Sequence, residues 1–279
     1  MRLLPLAVVF GHALLAVGLG WVYFRRYRMT RPPMGVFNLW DVAVIVACIV
    51  LVPYLHMAAP DWLVIALLGG GFLGLLYYTF EPVLKARWEV WLVCLGLMAA
   101  DAGLRFGAGS AVFFVVNNAL LLGVIVGTAN LWAQGGLRAR DAAVLGALLG
   151  VYDFLATSVF TQMTTVVGRL DGLPFAPMVA WPVGEGGQWW GIGLGDLLFA
   201  AVFPLAMRKA FGAAAGLVAA VLAVTAIAGL LLVCQLAAVQ AAFPVMVLLG
   251  PLMVVQHAAW RWWRGPERTT WQYLQAEPV

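Results

Sequence analysis

Two carboxylates stand where a charge is expensive. Asp153 falls inside the apolar run 142–162 and Asp196 inside the run 189–207. An ionisable residue at that depth marks a candidate functional site. Counted from the outer ends of their runs, Asp153 lies about nine residues in and Asp196 about seven, so both sit roughly 10–14 Å deep if the runs are helical. The two helices are antiparallel, and nothing in the spacing forces this agreement. Small residues accompany each acid. Gly146, Gly150, Asp153 and Thr157 fall on one helical face. Gly193, Asp196 and Ala200 share another, and glycine lets helices approach closely.

Two carboxylates brought together in a low dielectric hold one proton between them and titrate as a unit. Such a pair can hold a water, one member acting as general base and the other as general acid on a carbonyl. The same pair could instead glue helices, or relay protons in a proton- or cation-coupled carrier. Chemistry alone leaves hydrolysis and transport level.

The rest of the chain reads as a frame for this pair. Of 279 residues, 64% are hydrophobic and 10% charged, far below the charge of a soluble domain. Long apolar runs recur throughout, the pattern of an all-α polytopic membrane protein. About nine spans are expected: 4–24, 36–57, 62–80, 88–104, 111–132, 142–162, 189–207, and two within 211–256, which carries no charge and turns near Gln235–Gln240. Pro53 should kink the second span and Gly69–Gly71 soften the third.

Thirteen of the 16 Lys and Arg follow the odd-numbered spans, from Arg25, Arg26, Arg28 and Arg31 to Arg261, Arg264 and Arg268. Positive charge stays inside, so the N-terminus faces out and the C-terminus faces the cytoplasm. The first run ends in a basic stop and is read as a span rather than a cleaved signal peptide. A long external loop, 163–188, holds Pro174, Pro177, Pro182 and Trp181. It reads as an interfacial loop or as a mobile cover over the site. Asp41 and Asp101 should reach an interface or a backbone donor, and the remaining acids should be solvated or interfacial. Cys48, Cys94 and Cys234 read as packing residues. His12, His56 and His257 form no ligand cluster, so neither a metal nor another cofactor is expected. The basic balance reflects loops between spans, not nucleic-acid binding.

Tyr152-Asp153 in span six and Gly193-Leu194-Gly195-Asp196 in span seven resemble the signatures of the presenilin and signal peptide peptidase family of intramembrane aspartyl proteases. Pro244-Val245-Met246 stands where that family has Pro-Ala-Leu at the opening of the last span; Val245 and Met246 depart from it. Prepilin peptidases share the Gly-x-Gly-Asp motif but fit worse, for want of a cytosolic Asp partner and a cysteine-rich loop. The resemblance implies a presenilin-like fold with scaffold spans in 1–140, catalytic spans in 141–260 and a cytoplasmic tail in 261–279. It implies that Asp153 and Asp196 are the catalytic pair, that Tyr152, Gly193, Leu194 and Gly195 shape the site, and that Pro244, Val245 and Met246 line it. The outward N-terminus matches the signal peptide peptidase branch, whose substrates are type II-oriented helices or remnant signal peptides. Transmembrane helices and the lipid bilayer are then the partners, with no obligate protein partner. The compact loops fit a prokaryotic cell membrane. The runner-up is the carrier, and a third reading is a homologue that binds helices without cleaving them.

Overall fold

A computed structural model describes residues 3–29, 39–107, 110–159, 162–170, 172–183, 189–236, 244–269 and 271–273. The chain is mostly helical. Five long helices come first: α1 (Leu3–Arg26), α2 (Leu39–Ala58), α3 (Asp61–Phe80), α4 (Arg87–Gly107) and α5 (Ser110–Gln134). Then come α6 (Ala139–Phe154), a π-helical turn (Leu155–Val159) and the short α7 (Gln162–Leu170). Strands β1 (Met178–Pro182) and β2 (Trp189–Gly193) form an antiparallel hairpin. Helices α8 (Leu194–Phe211), α9 (Ala213–Leu236) and α10 (Met246–Arg264) complete the bundle.

Six of these helices are long and apolar enough to cross a membrane: α1, α2, α3, α5, α9, and α6 with its π turn. The protein is therefore a helical, membrane-embedded one. α4, α8 and α10 are more polar. For α8 the reason is its place. It runs through the middle of the bundle, buried at Leu197 and from Phe199 to Ala210, and meets protein rather than lipid. α5 is the other central helix, and α1 packs against both. α5, with no charged residue, is apolar on all sides, and α8 carries its three charges, Asp196, Arg208 and Lys209, near its two ends. α2 lies at the margin, with Trp40, Leu51, Tyr54 and Leu55 exposed. Pro53 lies inside α2, and Gly69 to Gly71 lie inside α3.

Arg208 and Lys209 sit at the C-terminal end of α8. Lys209 is 2% exposed, and its Nζ donates to the carbonyls of Ala133 (2.8 Å) and Leu137 (2.6 Å), closing the C-terminal end of α5. Cations suit that pole of a helix. The Arg208 guanidinium lies over Trp21 and Phe24 of α1. Lys209→Met keeps the volume but leaves both carbonyls without this donor. We expect a loss of about 1–3 kcal/mol, read as a lower unfolding midpoint in detergent micelles.

The stretch 261–279, expected as a cytoplasmic tail, begins within α10, and the described residues beyond that helix pack against the end of α8 and α1. The Arg268 N–H donates to Ala210 O (3.1 Å), and Tyr273 is buried beside Phe24. Asp141, expected to be solvated or interfacial, is buried and pairs with Arg140. Glu267 accepts from the Arg140 N–H (3.2 Å), with His257 Nε2 at 3.7 Å. Burial pushes the Glu267 carboxyl up. The His257 ring, the Arg140 N–H and the Arg138 charge outweigh it and hold Glu267 below the ordinary glutamate range. A lowered folded pKa stabilises above the unfolded value, about 4.3, and that stabilisation disappears as pH falls through the folded value. The difference in unfolding temperature between wild type and Glu267→Gln should thus be largest at neutral pH and shrink below about pH 4.

Two boundaries differ from expectation. The run 189–207 is not helical from its start, because 189–193 is strand β2 and the helix begins at Leu194. The stretch 163–188 is not simply a loop: it holds α7 and β1, while 184–188 fall outside the described residues. The turn near Gln235–Gln240 also falls mostly outside them; α9 runs on through Leu236.

Candidate active site

Asp196 is delivered by the joint between β2 and α8. Gly193 ends the strand and serves as N-cap residue of α8, with extended backbone angles (φ −63°, ψ 147°). Asp196 is then the third helical residue, and its carboxylate accepts a hydrogen bond from the Gly193 N–H. This is half of a capping box, the N3 side chain reaching back to the N-cap amide. A Cβ on Gly193 would sit 3.1 Å from Asp196 Oδ2, so the carboxylate would have to shift by a few tenths of an ångström to admit it. Gly195 faces open space, and Leu194 donates its N–H to Pro177 O (2.9 Å). Gly191 and Gly193 are therefore strand residues and not part of a helical face shared with Asp196 and Ala200. Asp196 lies in the first turn of its helix rather than two turns in.

Asp153 comes from the opposite direction, at the end of α6 just before the π turn. π turns tend to occur at functional sites, where they re-aim side chains. Asp153 accepts from the Met246 N–H (3.2 Å) and from the Thr157 side chain. Both Asp153 and Asp196 are half-buried, and each lies within electrostatic reach of the other. The two acids chosen from sequence come from different helices, and the charge of Asp153 acts on Asp196.

The glycines of α6 serve a different neighbour from the one their face suggested. They pack on α10, not on α8. A Cβ on Gly150 would meet Met246 O at 2.8 Å, and one on Gly146 would meet Met253 Sδ at 2.7 Å. Gly146, three intervening residues and Gly150 form the small-residue spacing that lets helix backbones touch. This contact brings the Met246 N–H to Asp153.

Of the Pro244-Val245-Met246 stretch, Pro244 stands before α10 rather than within it. Its carbonyl accepts from the Val247 N–H (3.2 Å), so it is a helix-start proline and introduces no kink. Val245 and Met246 are buried at 6% and 4% exposure, and the amide of Met246, not its side chain, reaches the acid. Tyr152 is half-buried and within electrostatic reach of Tyr54 on α2.

Sequence reasoning missed the residues that hold the hairpin. Asn117 Nδ2 donates to Ala176 O (3.1 Å) and Met178 O (3.2 Å). Asn118 donates to Ala180 O (2.9 Å) and accepts from the Ala180 N–H (3.0 Å). Asp101, fully buried, accepts from the Phe175 N–H (2.8 Å), a backbone donor being one of the two partners expected for it. Phe175 adopts φ 62°, a turn conformation uncommon outside glycine. Two adjacent asparagines in the apolar run Phe113–Leu122 were the available signal, since polar residues within spans usually bond across helices. Among the described residues, no group of three or more His, Cys, Asp or Glu could hold a metal ion.

In comparison with known proteins, the chain matches no family model and no curated sequence.

Proposed function

We propose that this chain is an intramembrane aspartyl protease with Asp153 and Asp196 as its catalytic pair. The observation that carries the proposal is that these two half-buried carboxylates, from different helices, lie within electrostatic reach of one another, one of them just past the end of a β-strand. In the reaction a water held between them attacks a peptide carbonyl. One carboxylate takes the water proton, and the other protonates the departing amide nitrogen. Each acid resets the other for the next turnover, because the pair shares one proton.

The strand explains how a helical substrate could be read. A helix shields its carbonyls in internal hydrogen bonds, so cleavage requires local unwinding. β2 offers an extended segment a partner for strand addition immediately before Asp196. Tyr152, Leu194, Gly195 and the Pro244–Met246 segment line the same region in this reading.

The full proposal includes nine spans, with α4, α8 and α10 crossing alongside the six apolar helices. It places the N-terminus outside and the C-terminus in the cytoplasm of a prokaryotic cell membrane. Substrates are type II-oriented helices or remnant signal peptides, and neither a cofactor nor an obligate protein partner is required.

The test is reconstitution in liposomes with single-span peptides in both orientations, the products identified by mass spectrometry. Cleavage within the apolar segment is expected, with a preference for type II peptides. Cleavage confined to the opposite orientation would overturn the topology. No cleavage of any peptide, together with proton or cation flux that either Asp substitution stops, would replace the protease with the carrier.

A further inference from the structure

The hairpin has two edges, and α5 closes one of them. Asn118 binds both the N–H and the C=O of Ala180. Both groups therefore point toward α5 and away from β2. Ala180 is registered opposite Gly191. In an antiparallel ladder, two opposed residues either exchange both bonds or turn both sets of groups outward. Ala180–Gly191 is thus an outward-facing pair, and so is Met178–Gly193, two residues along. Asn117 occupies the Met178 carbonyl on the α5 side, as that alternation requires. On the other strand, the Gly193 N–H faces outward to Asp196. The outward groups of exposed Gly191 lie along this same edge.

We infer that Asn118, supported by Asn117, acts as an artificial neighbouring strand on β1, so that an extended substrate can join the sheet only along β2, beside Asp196. Both asparagines are fully buried, at 0% exposure. An unpaired edge is an adhesive surface for any extended chain. A primary amide is well suited to cover one, because it both donates and accepts, as a peptide group does. Asp101 fixes the approach to β1 through the Phe175 N–H, so the strand enters the sheet at a set height. The asparagines are positioning residues. They touch neither the carboxylates nor the bond to be cut, and they decide which edge is free and where it lies relative to Asp196.

This inference rests on the protease reading for its consequence but not for its geometry, and the test separates the two. Wild type, Asn118→Ala and the near-isosteric Asn118→Asp are compared in lipid nanodiscs. Asn118→Asp removes the donor to Ala180 O while keeping an acceptor for its N–H. Hydrogen exchange at the Ala180 amide reads the clamp without any substrate. Asn118→Ala should raise that exchange at least about tenfold, with exchange in α9 unchanged. Cleavage of a single-span peptide then reads the positioning. In both variants kcat should fall about tenfold or more with KM little changed, and the cut should spread from one main bond to several neighbouring bonds. Unchanged Ala180 exchange would overturn the clamp. Loosened exchange with an unchanged cleavage position and kcat would overturn its positioning role. If Asn118→Ala does not fold, Asn118→Leu, close in size and with neither donor nor acceptor, carries both readouts. If wild type cuts nothing, the protease reading fails and the exchange measurement still decides the clamp.

Discussion

Asp196→Asn is expected to leave a folded protein with no measurable peptidase activity. The substitution separates two roles of one side chain. The carboxamide introduced there would still offer an oxygen to the Gly193 N–H, so the cap at the start of α8 survives. What disappears is the ability to take and return a proton. General acid–base groups typically contribute about 10²–10⁴-fold to rate, and losing one member of a shared-proton pair disables the other. The same loss is expected for Asp153→Asn, which keeps an acceptor for the Met246 N–H. The double variant should be no worse than either single one, because residues that act as a unit are not additive. Product formation by mass spectrometry, alongside unfolding midpoints for all four proteins, makes the comparison. Retention of half the wild-type rate by either single variant would remove the dyad from the mechanism.

Gly250→Ala is expected to cost both stability and activity, from a site that contains no chemistry. A Cβ on Gly250 would lie 2.4 Å from Gly146 O, 3.0 Å from Gly146 C and 3.4 Å from Ala147 Cα. All three atoms are backbone, so relief requires α6 and α10 to part. Overpacking of this kind costs about 1–3 kcal/mol. The larger consequence falls on the site, because the same helix contact brings the Met246 N–H to Asp153. Separation of the helices by even a few tenths of an ångström lengthens that bond and moves the carboxylate relative to Asp196. Misplacement on the scale of an ångström costs about 10²-fold in rate. The control is Gly229→Ala on α9, where an added Cβ meets nothing within 4 Å. It should be neutral to within about 0.5 kcal/mol and leave cleavage unchanged. Equal effects at the two glycines would show that the α6–α10 contact has no special bearing on the site.

Most of the bundle was legible because an apolar run long enough to span has few alternatives. Arg25-Arg26 and Arg208-Lys209 close α1 and α8 as basic helix ends. The start of α8 was not legible. Trp189-Trp190-Gly191-Ile192-Gly193 is a short apolar run, and periodicity cannot tell such a run from the first turn of a helix. Its strand character depends on Met178–Pro182, whose register is a long-range fact. The two acids could be picked out because an ionisable group in an apolar run is conspicuous by type alone. The donor at Met246 could not, since every residue but proline carries a backbone N–H. The glycine face of α6 was visible, but not its partner: small residues announce a close approach without saying to what.

The π turn at Leu155–Val159 has a consequence for how such a chain can vary over time. On one side of it, α6 answers to α10 through Gly146 and Gly150. On the other, α7 answers to α2 and α3, where Arg169 reaches the carbonyls of His56 and Ala59 and pairs with Asp61. A π turn is a one-residue insertion in a helical ladder. It marks a seam between two segments whose neighbours make unrelated demands. Residues beyond the seam can be gained, lost or exchanged under the constraints of α2 while Asp153 stays in register with α10. Descendants of this sequence are therefore free to diversify the segment beyond the seam without retuning the acid that lies just before it.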